Sequence, residues 1–199
     1  MGGIAVSQAY HIALTSTVNR RVTSADQVSY PLTLEPLLPQ EELVGLLRQA
    51  LLADGFVPLA DAPQRLTAQG PAGETLEVDL TTLLVTASLA EDRELSLDVN
   101  AQGGGYSRRE AVAEAQALLQ RETERAEGSL TAQQQKLQRI LTARLAASEG
   151  ARLARLHGVL EGVYGEALKR KAHTLGDVVA LEENRDHQGN YRLVIKVER

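Results

Sequence analysis

Helical periodicity runs from Ser107 to about Ala172, and no other feature limits the fold of this 199-residue chain so much. Read as one helix, the piece from 107 to 148 is roughly 60 Å long at ~1.5 Å per residue, against a usual helix of ~11 residues. A helix of that length needs an apolar partner along its course. The segment from 151 to about 172 is the nearest one, because Leu153, Leu156, Leu160, Val163 and Ala167 recur there at three and four. The pattern predicts an antiparallel helical hairpin, coiled-coil-like, over residues 107–174. Gly128-Ser129 and Ser148-Glu149-Gly150 are its candidate interruptions.

Both flanks of this arm change to period two. "QAYHIALTST" alternates Tyr10, Ile12 and Leu14 against His11 and reads as a strand. The polar "NRRVTSADQ" reads as a link. "VSYPLTLEPLLP" reads as an edge strand or extended loop, since each proline removes a backbone donor. From Pro39 to Asp54, Leu43, Leu46, Leu47, Ala50 and Leu51 form an amphipathic helix stopped by Gly55, with two acids at its positive end. The short runs "QRLTAQ", "ETLEVDL", "TTLLVTASL" and "RELSLDV" predict an antiparallel meander covered by that helix. The closing "GDVVALEENRDHQGNYRLVIKVER" predicts a β-hairpin, which needs a surface to dock on and is expected to return to the sheet. The expected class is therefore α+β. It has a platform over 1–102, a glycine linker over 103–106, the helical arm over 107–174 and a docked hairpin over 175–199.

Charge is divided between the parts. Residues 1–105 carry 5 Arg and no Lys against 13 acids, whereas 106–175 carry 12 basic against 8 acidic residues. A split of this kind steers partners or orients copies, but +4 over seventy residues is weak for nucleic acid. The absence of cysteine excludes disulfide, thiol and cysteine–zinc chemistry and suits a reducing compartment, so the cytoplasm is the expected location. No apolar run reaches the ~18–20 residues of a membrane span. Met1-Gly2 is followed by Val6 where an acylation signal needs Ser or Thr.

The candidate chemistries are weak. "NAQGGGYSRREA" follows a strand and precedes a helix, as phosphate loops do, but no lysine occurs before Lys136 and Arg108 stands where a dinucleotide fingerprint needs its third glycine. Ser107 and Glu110 have capping-box spacing, so Gly103, Gly104 and Gly105 read as a hinge before a capped helix. His11, His157, His173 and His187 lack metal-ligand spacing. Asp79, Glu94 and Asp98 on strands, and Glu182, Glu183 and Asp186 near the end, show no cleft that would raise one pKa. Arg20, Arg21, Lys169, Arg170 and Lys171 are candidate electrostatic contacts without interleaved aromatics. No catalytic, cofactor-binding or metal-ligating residue is assigned.

Gly158, Gly162 and Gly165 are less easily set aside, since each interior glycine costs a helix roughly 1 kcal/mol relative to alanine. With Leu153, Leu156, Leu160 and Val163 they form a candidate seam. It could be internal to the hairpin, a surface for a partner, or a break in the helix.

"AYHIALTSTVNRRV", the proline-rich lead into a leucine-rich helix, and "TLGDVVALEENRDHQGNYRLVIKVE" together resemble accessory proteins of bacterial ternary systems. Those systems combine FtsH-like and MoxR-like AAA+ ATPases with a von Willebrand A protein. The resemblance implies a cytoplasmic, non-catalytic component of an ATP-driven conflict or defence system. It has no family motif from which site residues could be taken. The reading that follows is an adaptor binding protein partners, an AAA+ ATPase or von Willebrand A protein among them, and self-associating through the arm. The alternatives are a nucleic-acid-binding accessory protein, or a small hydrolase using His11 or the strand carboxylates.

Overall fold

The computed structural model describes residues 9–185 and 191–198; Asp186 and His187 lie outside them, as do Met1, Gly2 and Val6. The elements are β1 (Tyr10–Pro31), α1 (Gln40–Ala53), β2 (Val57–Pro58), β3 (Arg65–Gln69) and β4 (Thr75–Asp79). They continue with β5 (Leu84–Gly105), α2 (Arg108–Ala147), α3 (Glu149–Leu175), β6 (Asp177–Arg185) and β7 (Tyr191–Glu198). A five-stranded sheet has the order β1-β5-β4-β3-β2, and β6-β7 form a second sheet. The fold is α+β with antiparallel pairing.

The chain divides into two compact units that cut across the expected order of platform, linker, arm and hairpin. One comprises Met1–Ala25 and Ala90–Thr142, the other Asp26–Leu89 and Ala143–Arg199. The reason is the length of β1 and β5, 22 residues each, which take part in both units.

In the second unit the meander has the register Leu66↔Val78, Leu76↔Ala87 and Val78↔Val85. These side chains are buried, together with Leu43, Leu46, Leu47 and Leu51 of α1 and Phe56 behind it. Helix α1 follows Pro39, has Glu41 and Glu42 in its first turn and ends before Gly55, whose φ of 90° is open to glycine alone at little cost. It packs against α3, as does the β6–β7 hairpin. That hairpin forms its own two-stranded sheet and does not join the five-stranded one; it packs on α3, with Leu193, Ile195 and Val197 lining a pocket together with Leu168 and Ala172 of the helix.

In the first unit β1 and β5 form a two-stranded ribbon with α2 laid on one face. Val22 of β1 and Val99 and Ala101 of β5 are buried on the face turned toward the helix, and Ile12, Leu14, Val18, Leu95 and Leu97 at alternate positions along the same strands are half-buried. Ala111, Ala115, Leu130, Leu137 and Leu141 of α2 are buried in return. Arg20 donates to Thr131 (3.1 Å) and Gln138 Nε2 to the Ala25 carbonyl (3.1 Å). The lengths match: residues 10–25 span roughly 50 Å as strand at ~3.3 Å each, and 108–142 roughly 50 Å as helix. Here the long helix takes its apolar support from the ribbon, where the sequence pattern pointed to the helix after Gly150. Gly128 leaves α2 unbroken over its 40 residues. Ser148 alone separates α2 from α3, at φ −87° and ψ −4°, with Ser148 N–H bonded to Arg144 O (3.1 Å) and Arg152 N–H to Ser148 O (3.0 Å).

Candidate interaction site

On α3 the buried positions are Arg152, Leu156, Val159, Val163, Gly165, Ala167 and Ala172. The stripe shares Leu156, Val163 and Ala167 with the sequence pattern. It leaves Leu153 exposed and Leu160 half-buried.

The three glycines of α3 separate into two kinds. A Cβ on Gly158 or Gly162 would meet nothing within 4 Å, whereas one on Gly165 would lie 2.6 Å from the Tyr191 hydroxyl. Gly165 is where β7 crosses the helix closely. Gly158 and Gly162, both exposed, form the floor of a groove of about 400 Å³ between α1 and α3, walled by Leu46, Ala50, Val159 and Val163 and edged by Asp54 and Glu166. Near one edge Arg155 donates to Asp54 Oδ2 (2.6 Å), the Asp54 carbonyl (2.9 Å) and the Gln69 carbonyl (2.7 Å), and stacks 5.0 Å over Phe56.

The candidate cations are mostly engaged within their own units. Arg21 grips Asp92 through both Nε and Nη2, and Arg20 is held by Thr131. Lys169 lies between Glu166 (2.8 Å) and Glu183 (3.0 Å), whose hydrogen bonds raise its pKa, and Tyr191 donates to the other oxygen of Glu183 (3.0 Å). Arg170 and Lys171 are exposed.

His11, His157 and His173 are exposed. Asp98 accepts a hydrogen bond from Thr17 (2.8 Å), and Glu94 faces solvent. Asp79 accepts from the Thr81 and Thr82 backbone (2.8 and 3.2 Å) and so shapes the turn from β4 to β5. Burial disfavours its charge, but those bonds and Arg65 hold its carboxyl below the usual range. Among the described residues no group of three or more His, Asp or Glu could hold a metal ion.

The glycine run is no linker. Gly103–Gly105 are the last residues of β5, and a Cβ on Gly103 would lie 2.3 Å from Ala115 N and 2.4 Å from Ala111 O. The absence of a side chain lets the strand press onto the helix backbone, which is close packing instead of a hinge. Ser107 and Glu110 make the two reciprocal bonds of a capping box: Glu110 N–H to Ser107 Oγ (3.2 Å) and Ser107 N–H to Glu110 Oε2 (3.1 Å).

Sequence reasoning missed a buried ion pair. Arg152 is 1% and Glu74 0% exposed. Arg152 Nη1 donates to Glu74 Oε1 (3.2 Å), to the Leu145 carbonyl (2.8 Å) and to Ser148 Oγ, while Glu74 Oε2 accepts from Ala72 N–H (2.7 Å). The pair ties the β3–β4 turn to the junction of α2 and α3, and Arg144 adds a bond to the Ala72 carbonyl (2.8 Å). A signal was present: Arg152 precedes Leu156, Val159 and Val163 at four, seven and eleven, on the apolar stripe.

Among the described residues no helix is long and apolar enough to cross a membrane. A family model described as FtsH ternary system domain X5 matches residues 6–198. Neither a curated protein nor a solved structure matches the chain.

Proposed function

The chain belongs to the FtsH ternary system domain X5 family, and on that premise we propose that it is a non-catalytic adaptor of an AAA+-based ternary system. It binds other protein components in the cytoplasm, an AAA+ ATPase or von Willebrand A protein among them, and a second copy of itself. The observation that carries this reading is the groove between α1 and α3. Gly158 and Gly162 weaken their helix by roughly 1 kcal/mol each, yet among the described residues no neighbouring atom requires them to lack a side chain. The opening they leave suits the close approach of another backbone.

The nucleic-acid alternative is weakened because Arg21 and Lys169 are neutralised by carboxylates, so fewer cations remain to displace counterions.

The tagged chain, recovered from cells that express the whole system, is expected to bring down at least one other component. A chain that stays monomeric and captures nothing, with or without ATP, contradicts the proposal. Independently, Gly158→Ala and Gly162→Ala are each expected to raise the unfolding free energy by about 1 kcal/mol in chemical denaturation, since the added methyl meets open space. A loss of stability instead would mean that the groove is closed in solution.

A further inference from the structure

Strand β5 has β4 beside it only over Leu84–Ser88. From Ala90 to Gly105 its edge away from β1 has no neighbouring strand among the described residues. The Gly104 N–H donates to Glu114 (2.7 Å); the other backbone donors and acceptors of that edge have no strand to pair with among the described residues and are left to a partner or to water.

That edge lies beside a second groove, of about 350 Å³, between the ribbon and α2. Its floor is Val22, Leu95 and Leu137, and its outer wall is Gln133, Lys136 and Ile140. Thr131 and Gln138 reach toward β1. At ~100° per residue, Gln133, Lys136 and Ile140 stand on the opposite side of α2, the side of β5. The groove therefore has a strand edge for one wall and a helix for the other.

A strand-edge wall favours an extended occupant. A bound helix satisfies its own backbone and would leave the β5 edge unpaired, whereas an added strand pairs with it and directs alternate side chains into the groove. Ile140 is 44% exposed and Leu95 half-buried, so apolar surface remains to be covered. Charge selects among extended segments. Arg93 is held by Glu91 on its own strand, while Lys136 has no carboxylate partner among the described residues and stands in the outer wall.

We propose that the groove between β5 and α2 binds an extended peptide segment of a protein partner as an added β-strand. One apolar side chain of the segment rests on Leu95, Leu137 and Ile140, and a carboxylate on the same face meets Lys136. This gives the adaptor reading a second contact, separate from the groove between α1 and α3, and rests on that reading.

The test is selection of random peptides displayed on phage against the full chain, followed by affinity measurements on the enriched peptides. Enriched sequences are expected to alternate, to carry an apolar and an acidic residue two apart, and to lack proline in the paired stretch. Ile140→Lys should weaken them at least tenfold, and Lys136→Glu should reverse the preference from acidic to basic peptides. Both side chains are exposed, so unchanged melting of the variants verifies their folding. The proposal is overturned by no enrichment, by enriched peptides that both variants bind as well as the wild type, or by peptides that bind equally with proline in the paired stretch. Should Ile140→Lys leave peptide binding intact while the tagged chain still captures system components, this groove is wrong and the adaptor reading stands. Should the wild-type chain capture no component at all, the adaptor reading fails whatever the peptides show.

Discussion

Arg152→Ala is expected to lower the unfolding free energy by about 3–5 kcal/mol, because it strands a buried carboxylate without its counter-charge. Glu74 is fully buried and Arg152 nearly so. Restoring solvent access to either requires opening the junction between α2 and α3, where Arg152 also satisfies the Leu145 carbonyl. Arg152→Met combined with Glu74→Gln should recover part of the loss, since that double change leaves no unpaired charge. Acid sensitivity reports on the same pair. Burial disfavours the charge on Glu74, but hydrogen bonds from the backbone N–H groups of Glu74 and Ala72, from Arg152 and from Ser148 outweigh it and hold its carboxyl below the usual range. A carboxyl whose pKa is lowered by folding contributes fully above its unfolded value of about 4.3 and loses that contribution as the pH falls through the lower folded value. Denaturation curves below pH ~4.3 should therefore fall more steeply for the wild type than for Glu74→Gln. An Arg152→Ala protein within 1 kcal/mol of the wild type at neutral pH would show the pair to be solvated.

Gly103→Ala is expected to cost about 1–3 kcal/mol, the usual penalty of overpacking, because its methyl would meet the backbone of α2 at Ala111 and Ala115 and not a movable side-chain end. Gly104→Ala should be close to neutral: its nearest neighbour would be His11 Nδ1 at 3.5 Å, an ordinary contact. The contrast between adjacent glycines is the informative result in thermal or chemical melting. A flexible connector would accept alanine at both positions alike, and equal tolerance would contradict the packing described for β5 and α2.

Legibility in the sequence followed the kind of force involved. Helix α1 was readable because its leucine spacing, its acidic first turn and Gly55 agree with one another. The meander and the closing hairpin were readable from alternation between turn residues. The continuity of β1 was not. "NRRVTSADQ" looks polar throughout, yet it places Val22 and Ser24 toward α2 and Arg21 and Thr23 toward water, the pattern of a strand covered on one face. The partner of α2 was missed for the same reason, since half-polar strands advertise little apolar surface. On α3 the leucines Leu153 and Leu160 drew the stripe to one side of its true course, because Arg152 occupies a position where an apolar residue was sought. The glycine run was misread because composition cannot distinguish a flexible glycine from one compressed between backbones. Only the distances from Gly103 to α2 do so. For the site, the unusual cost of Gly158 and Gly162 was visible in the sequence, while their opening onto α1 required the fold.

Capture of system components by the Gly158→Leu, Gly162→Leu double variant, compared with the wild type at equal concentration, tests the adaptor account most directly. Leucine suits a helix better than glycine, its Cβ meets nothing within 4 Å at either position, and both positions line the groove that its longer side chain would enter. The variant should therefore melt at or above the wild-type temperature while its filled groove captures the partner at least tenfold less. Undiminished capture by a folded variant would contradict the claim that the groove between α1 and α3 is where this protein meets its partner.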